Sequence, residues 1–192
     1  MEFDKTQTFR NLARSFAGES QAGLRYQFIS KLALKQGYKT LSDEIKYIAH
    51  NETAHAKVLF DKIIEKNGNT SNIDISAGYP FEGDTIENGL LAAANAEKSE
   101  VSIYRAFSEA AKNEGFEDIS DLMLKIADVE GHHEVIFRYL YENFKNGTLF
   151  SSEKDTVYEC SNCGFKYTAK QAFSVCPLCN VSQGFVKLQL PK

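Results

Sequence analysis

"LSDEIKYIAHNETAHAKVLFDKII" (residues 41–64) decides how the chain is read. Leu41, Ile45, Ile48, Leu59 and Ile63 fall three or four residues apart on a repeating stripe, the pattern of a helix with one face on a core. In the middle of that stripe, where two more apolar residues belong, stand Glu52 and His55. A carboxylate turned toward a core is expensive unless something pairs with it. The stretch therefore implies both a buried helix and an unseen partner inside it.

Three more helices follow from the same periodicity, giving expected spans of 5–36, 41–66, 84–113 and 118–145. Asp84 with Glu87 and Thr40 with Asp43 have the spacing of N-terminal caps, and Gly37, Gly68 and Gly115 fall where helices should stop. The first and third connections span only a few residues, so each joins an antiparallel pair. The second, "NGNTSNIDISAGYPFEG" (67–83), is long and shows no helical period. Two hairpins joined by one long crossover between helices two and three is the ferritin-like four-helix bundle, a mainly α fold.

The polar intrusion recurs in every helix. Helix one runs Leu12, Glu19, Tyr26, Ala33; helix three runs Leu90, Ala93, Glu97, Glu100, Tyr104, Phe107; helix four runs Ile126, Glu130, His133, Phe137. Glu19 precedes Glu52 by 33 residues and Glu97 precedes Glu130 by 33, and "ETAH" is echoed by "EGHH" 78 residues later. Six groups (Glu19, Glu52, His55, Glu97, Glu130 and His133) match the carboxylate and Glu-x-x-His set that holds two iron or manganese ions in such bundles, and Glu100 is a seventh. Unpartnered, these carboxylates would repel one another and stay partly protonated; two divalent cations remove that cost. Ligand type alone leaves iron and manganese open. His50, His132, Glu109, Glu114 and Glu134 fall off the seam or beside better-placed groups and read as solvated residues.

At 192 residues with 43% hydrophobic and 25% charged, the chain suits one cored domain plus a small module. A net charge of −4 gives no electrostatic case for nucleic acid or an anionic membrane as partner. No apolar run reaches the length of a membrane span. The opening "MEFDKTQTFRNLARSF" has no apolar run of the signal-peptide kind, so the expected location is cytoplasmic. Composition changes near residue 146, dividing the chain into an expected bundle (1–146), a polar linker (147–156) and a tail domain (157–192). The tail carries Cys160-x-x-Cys163 and Cys176-x-x-Cys179, two knuckles for one tetrahedral metal. Zinc and iron both suit four thiolates. Tyr158, Phe165, Tyr167, Phe173 and Phe185 are candidates for its small core. A one-electron carrier beside a dimetal centre makes chemical sense, which favours iron.

These motifs, "AGESQAGLRY", "NETAH", "AEKSE", "VEGHHEVIFRY" and "CSNCGF…CPLC", resemble those of the rubrerythrins along essentially the whole chain. The resemblance implies a ferritin-like diiron domain followed by a rubredoxin-like domain, with two Fe ions at the carboxylate–His site and one at the four cysteines. It implies that Glu52 and Glu130 bridge, Glu19 terminates one iron, Glu97 and His133 serve the other, and Glu100 and His55 alternate with oxidation state. Tyr26 matches a tyrosine beside the family's diiron site, with Tyr104 a lesser candidate; a core role suits both equally. The implied activity is reduction of hydrogen peroxide to water in oxidative-stress defence, with electrons from NAD(P)H through a rubredoxin or reductase. Homodimers or larger oligomers are implied as well. Asn180 stands where rubredoxins generally have Gly, and Phe165 follows Gly164 where Tyr is common. Two other readings stay open: an iron-oxidising storage protein, and a dimetal bundle bearing a zinc-ribbon interaction module.

Overall fold

Four helices of nearly equal length dominate the chain: α1 (Gln7–Lys35), α2 (Lys39–Asn67), α3 (Ile86–Asn113) and α4 (Glu117–Lys145). The computed structural model describes residues 2–68 and 72–191; positions 69–71 of the expected crossover and the two terminal positions lie outside the described residues.

Local chemistry explains where the helices begin and end. Thr6 caps α1 by accepting the amide of Phe9 at 3.1 Å, and Thr85 caps α3 by accepting that of Asn88 at 3.1 Å. Asp84, expected as the cap of α3, instead sits one residue outside it and accepts from the Thr85 amide and the Asn88 side chain. Thr40 does not cap α2 at all. It lies within the helix, and the preceding Tyr38 supplies no side-chain cap. Glu114, expected as a solvated charge, crosses to α1 and accepts the amides of Gln7 and Thr8, satisfying two orphan donors of the first turn. Gly37 and Gly115 end α1 and α3 with φ of 88° and 85°, conformations glycine adopts without strain.

The helices pack as two antiparallel hairpins, and the core is split by a polar layer. On one side Tyr26, Ile45, Ile48, Leu90 and Phe137 cluster; on the other Phe9, Leu12, Leu59, Ile63 and Met123 do. The seam residues lie between. The 78-residue echo extends beyond them: Ser30 bonds Ser42 at 2.9 Å, and Ser108 bonds Ser120 at 2.8 Å, the same buried link in each hairpin. The crossover climbs beside α1 and α3, with Ile73 against the lower cluster and Gly83 beside Ile29 of the upper.

Most of the expected linker is strand. β1 (Ser151–Glu159) pairs antiparallel with β2 (Lys166–Gln171), the segment "SSEKDTVYE" finding its partner across the first knuckle. The tail's core is Phe150, Tyr158, Ala172 and Val186. Of the five expected aromatics only Tyr158 is fully buried, and Tyr167 faces outward. The tail docks on the α1–α2 turn. Thr40 donates bifurcated bonds to the carbonyls of Val186 (2.7 Å) and Gly184 (3.2 Å), and Tyr38 packs between Phe144 and Phe150.

Candidate metal centres

The seam brings six of the seven expected groups together. Glu19, Glu52, His55 and Glu130 offer ligand atoms within 4.8 Å of one another, and so do Glu52, Glu97, Glu130 and His133. Glu52 and Glu130 belong to both sets. The i, i+3 spacing places each histidine one turn from its glutamate on the same helix face. His133 Nδ1 lies 2.8 Å from Glu130 and 2.9 Å from Glu52; His55 Nδ1 lies 3.0 Å from Glu130, 3.4 Å from Glu19 and 3.6 Å from Glu52.

Tyrosines complete the layer with a two-fold logic. The Tyr26 hydroxyl of α1 donates to Glu97 of α3, and the Tyr104 hydroxyl of α3 donates to Glu19 of α1. Each stands seven residues after the glutamate of its own helix and serves the glutamate of the other. Tyr104 thus has the same standing as Tyr26. His50 and His132 are exposed, as expected.

Burial of so many like charges shows in their acidities. Burial, with the neighbouring carboxylates, pushes Glu19 and Glu97 well above the usual carboxylate range. Burial works in the same direction on Glu52, but the imidazoles of His133 and His55, 2.9 and 3.6 Å away, outweigh it and hold this group at about 2. Burial also opposes charge on both histidines, yet the surrounding glutamates raise His55 to about 12 and His133 to about 9.

Protein groups alone leave this layer unsatisfied. Glu19 Oε2, both oxygens of Glu52, Glu97 Oε2, Glu130 Oε1 and His55 Nδ1 are buried without an aligned hydrogen-bond partner. Orphaned buried acceptors are rare, and each costs about 1–3 kcal/mol. Convergent carboxylate and imidazole donors are the ligands of hard to borderline divalent ions such as iron and manganese. The residues fit a two-metal group.

Glu100 stands apart. It belongs to neither set and lines a cavity of about 360 Å³ between α1 and α3, beneath residues 77–82 of the crossover. Burial, then repulsion from Glu130 and Glu52, raises its carboxyl to about 8. Arg14, Gly18, Gln21 and Arg25 form the α1 wall at steps of four, three and four, a stripe legible in the sequence but masked there by the stronger metal pattern.

In the tail, Cys160 and Cys176 are buried and all four thiols are free. The Cys160–Cys179 and Cys163–Cys176 sulfurs are each 3.7 Å apart. That is far beyond a disulfide. It is close to the ~3.8 Å edge of a tetrahedron with metal–sulfur bonds of about 2.3 Å. Gly164 and Asn180 close the two knuckles with φ of 75° and 61°, and each amide bonds the carbonyl of its first cysteine at 2.9 Å. Asparagine tolerates this conformation, so the departure at Asn180 keeps the turn.

Comparison with known proteins agrees along the whole chain. Residues 10–81 and 88–170 match the family described as Rubrerythrin, and residues 158–185 match the rubrerythrin rubredoxin-like domain. The chain is 34% identical to a rubrerythrin of Porphyromonas gingivalis over 94% of its own length and 88% of that protein. It is 36% identical to rubrerythrin-1 of Clostridium acetobutylicum, over 95% and 94%. In fold it is similar to a mixed-valence nigerythrin (TM-score 0.63, 22% identity, 96% and 90% covered) and to a Mycobacterium tuberculosis bacterioferritin (TM-score 0.66, 20% identity, 77% and 91% covered).

Proposed function

The chain belongs to the rubrerythrin family of diiron, rubredoxin-like proteins of oxidative-stress defence, and from that premise we propose that it is a peroxidase reducing hydrogen peroxide to water. The observation that carries the reading is the pair of ligand sets sharing Glu52 and Glu130. The diiron centre that these residues would hold would supply both electrons of O–O cleavage together, avoiding the one-electron step that releases hydroxyl radical.

The residues divide the work. Glu52 and Glu130, common to both sets, would serve both metals, while Glu19 would complete one site and Glu97, with His133, the other. Tyr104 and Tyr26 fix the orientation of Glu19 and Glu97 through their hydroxyls. The apolar clusters above and below the layer exclude water from both ends of the bundle. The cavity at Glu100 gives peroxide its approach from the α1–α3 side. His55 and Glu100 would exchange places with the oxidation state of a bound iron; His55 lies with the ligand set, while Glu100 lines the cavity. A carboxylate suits the more highly charged ion and a neutral imidazole the less charged one.

The four cysteines would hold an iron able to relay electrons, with a rubredoxin or an NAD(P)H-linked reductase in the cytoplasm as donor. Thr40, where the tail docks, precedes Glu52 on α2 by twelve residues, about 18 Å of helix. That separation favours delivery from the tail of a second subunit in a homodimer or larger oligomer. Cys160→Ser tests the relay. NADH-driven peroxide turnover should vanish, while a chemically reduced bundle still consumes peroxide in a single turnover. Normal NADH-driven turnover in the variant would refute the relay.

A further inference from the structure

We infer that Arg25 is a positioning residue: in the reduced, iron-loaded protein its guanidinium receives the Glu100 carboxylate in the α1–α3 cavity once His55 has taken the ligand position. The inference rests on the His55–Glu100 exchange proposed above and adds what holds the displaced carboxylate.

Four observations meet here. Both terminal nitrogens of Arg25 are buried without a hydrogen-bond partner; only its Nε is used, donating to Gln21 at 2.6 Å. An unpaired buried guanidinium is costly, and a carboxylate is its two-pronged complement. Arg25 and Glu100 line the same cavity, and Arg25 is the stronger of the two positive charges that favour the ionised form of Glu100.

The internal repeat supplies the third. Each ligand of one half has its like 78 residues away: Glu19 with Glu97, Glu52 with Glu130, His55 with His133. Glu100 breaks that rule, for its counterpart is Ala22. Arg25 breaks it too, for its counterpart is Ile103. Since Tyr26 reaches Glu97 and Tyr104 reaches Glu19, the approximate two-fold that exchanges α1 with α3 carries the Glu100–Arg25 corner onto an Ala22–Ile103 corner. A carboxylate and a guanidinium stand together at one corner, and both are missing at the other.

The fourth is space. A cavity of about 360 Å³ beside an exchanging side chain lets it change rotamer without repacking a helix. Ser15 Oγ and Tyr79 OH, also buried and unpartnered, line the same space and add donors for a carboxylate. Glu100 and Arg25 share the cavity without ion-pair contact, so the pairing requires one of them to change rotamer.

Crystal structures of the iron-loaded wild type and Arg25→Gln, each oxidised and dithionite-reduced, test this together with a double-mutant cycle on turnover. In the reduced wild type, Glu100 should lie within hydrogen-bond distance of an Arg25 Nη. In reduced Arg25→Gln it should stay at the ligand position, with His55 displaced. Turnover should fall about tenfold or more, as for loss of a charged hydrogen bond. Arg25→Lys should restore part of it, and Arg25→Gln should add no loss to Glu100→Gln. The inference is overturned if Glu100 takes the same cavity position in Arg25→Gln, or if the two losses multiply. If Glu100 keeps the ligand position in the reduced wild type, the exchange itself is wrong and the inference falls with it; the first pair of outcomes refutes Arg25's role alone.

Discussion

Glu52 shows how single residues are tuned in this layer: held near 2 by two histidines, it remains charged where its neighbours resist charge. The metal-free protein should therefore be strongly pH-dependent. His133 and His55, raised to about 9 and about 12, contribute stability that is complete below their unfolded value near 6.5; that of His133 is lost as pH rises through 9, and that of His55 declines over the same range and onward to about 12. Glu100, raised to about 8, keeps a proton that the unfolded chain loses near 4.5, so it too favours the fold less as pH rises between those values. Glu52 acts oppositely, its contribution lost as pH falls below about 4.5 toward 2. Thermal unfolding of chelated protein should give a Tm several degrees lower at pH 9 than at pH 6, at ~3 °C per kcal/mol. Metal loading should flatten the difference, since a cation replaces the protons. A flat metal-free profile would contradict the assigned environment. Glu52 and His55 were legible because they interrupt a periodic stripe on their own helix. Glu114 and Thr40 were not, because their partners lie on elements that local spacing does not reach.

Between elements, the most constrained junction is the seat of the tail. A Cβ on Gly184 would stand 1.8 Å from the carbonyl oxygen of Gly37, backbone against backbone, and neither can yield without moving a whole element. Gly184→Ala should undock the tail while leaving its four-thiolate site intact. Limited proteolysis near residues 147–150 would then quicken, with the tail's iron absorption retained; unchanged cleavage would show that the junction tolerates a side chain. Thr40→Val should act in the same direction but more weakly, losing one bifurcated hydrogen bond worth about 1 kcal/mol. Helix spans were readable from Leu41, Ile45 and Ile48 onward because amphipathic periodicity survives without context. The strand at 151–156 read as linker because its partner β2 lies on the far side of the first knuckle, and a half-exposed strand has no apolar pattern of its own.

The whole molecule joins a dimetal layer at the middle of a bundle to a thiolate site at its end. If electrons cross between subunits, two inactive variants should complement each other. Mixing Cys160→Ser with Glu52→Ala through unfolding and refolding should restore about a quarter of wild-type turnover in statistically mixed dimers. No recovery would place the relay within one chain. That the bundle was ferritin-like followed from loop lengths around Gly37, Gly68 and Gly115; the α1–α3 cavity did not, because a void is a property of packed neighbours and leaves no periodic mark. The most direct test of the account is an anaerobic titration of the fully reduced, iron-loaded protein with hydrogen peroxide, compared with its oxidation by oxygen. The account predicts rapid oxidation by one equivalent of peroxide per pair of bundle irons and a much slower reaction with oxygen. Oxidation by oxygen far faster than by peroxide would contradict it and favour an iron-oxidising protein instead.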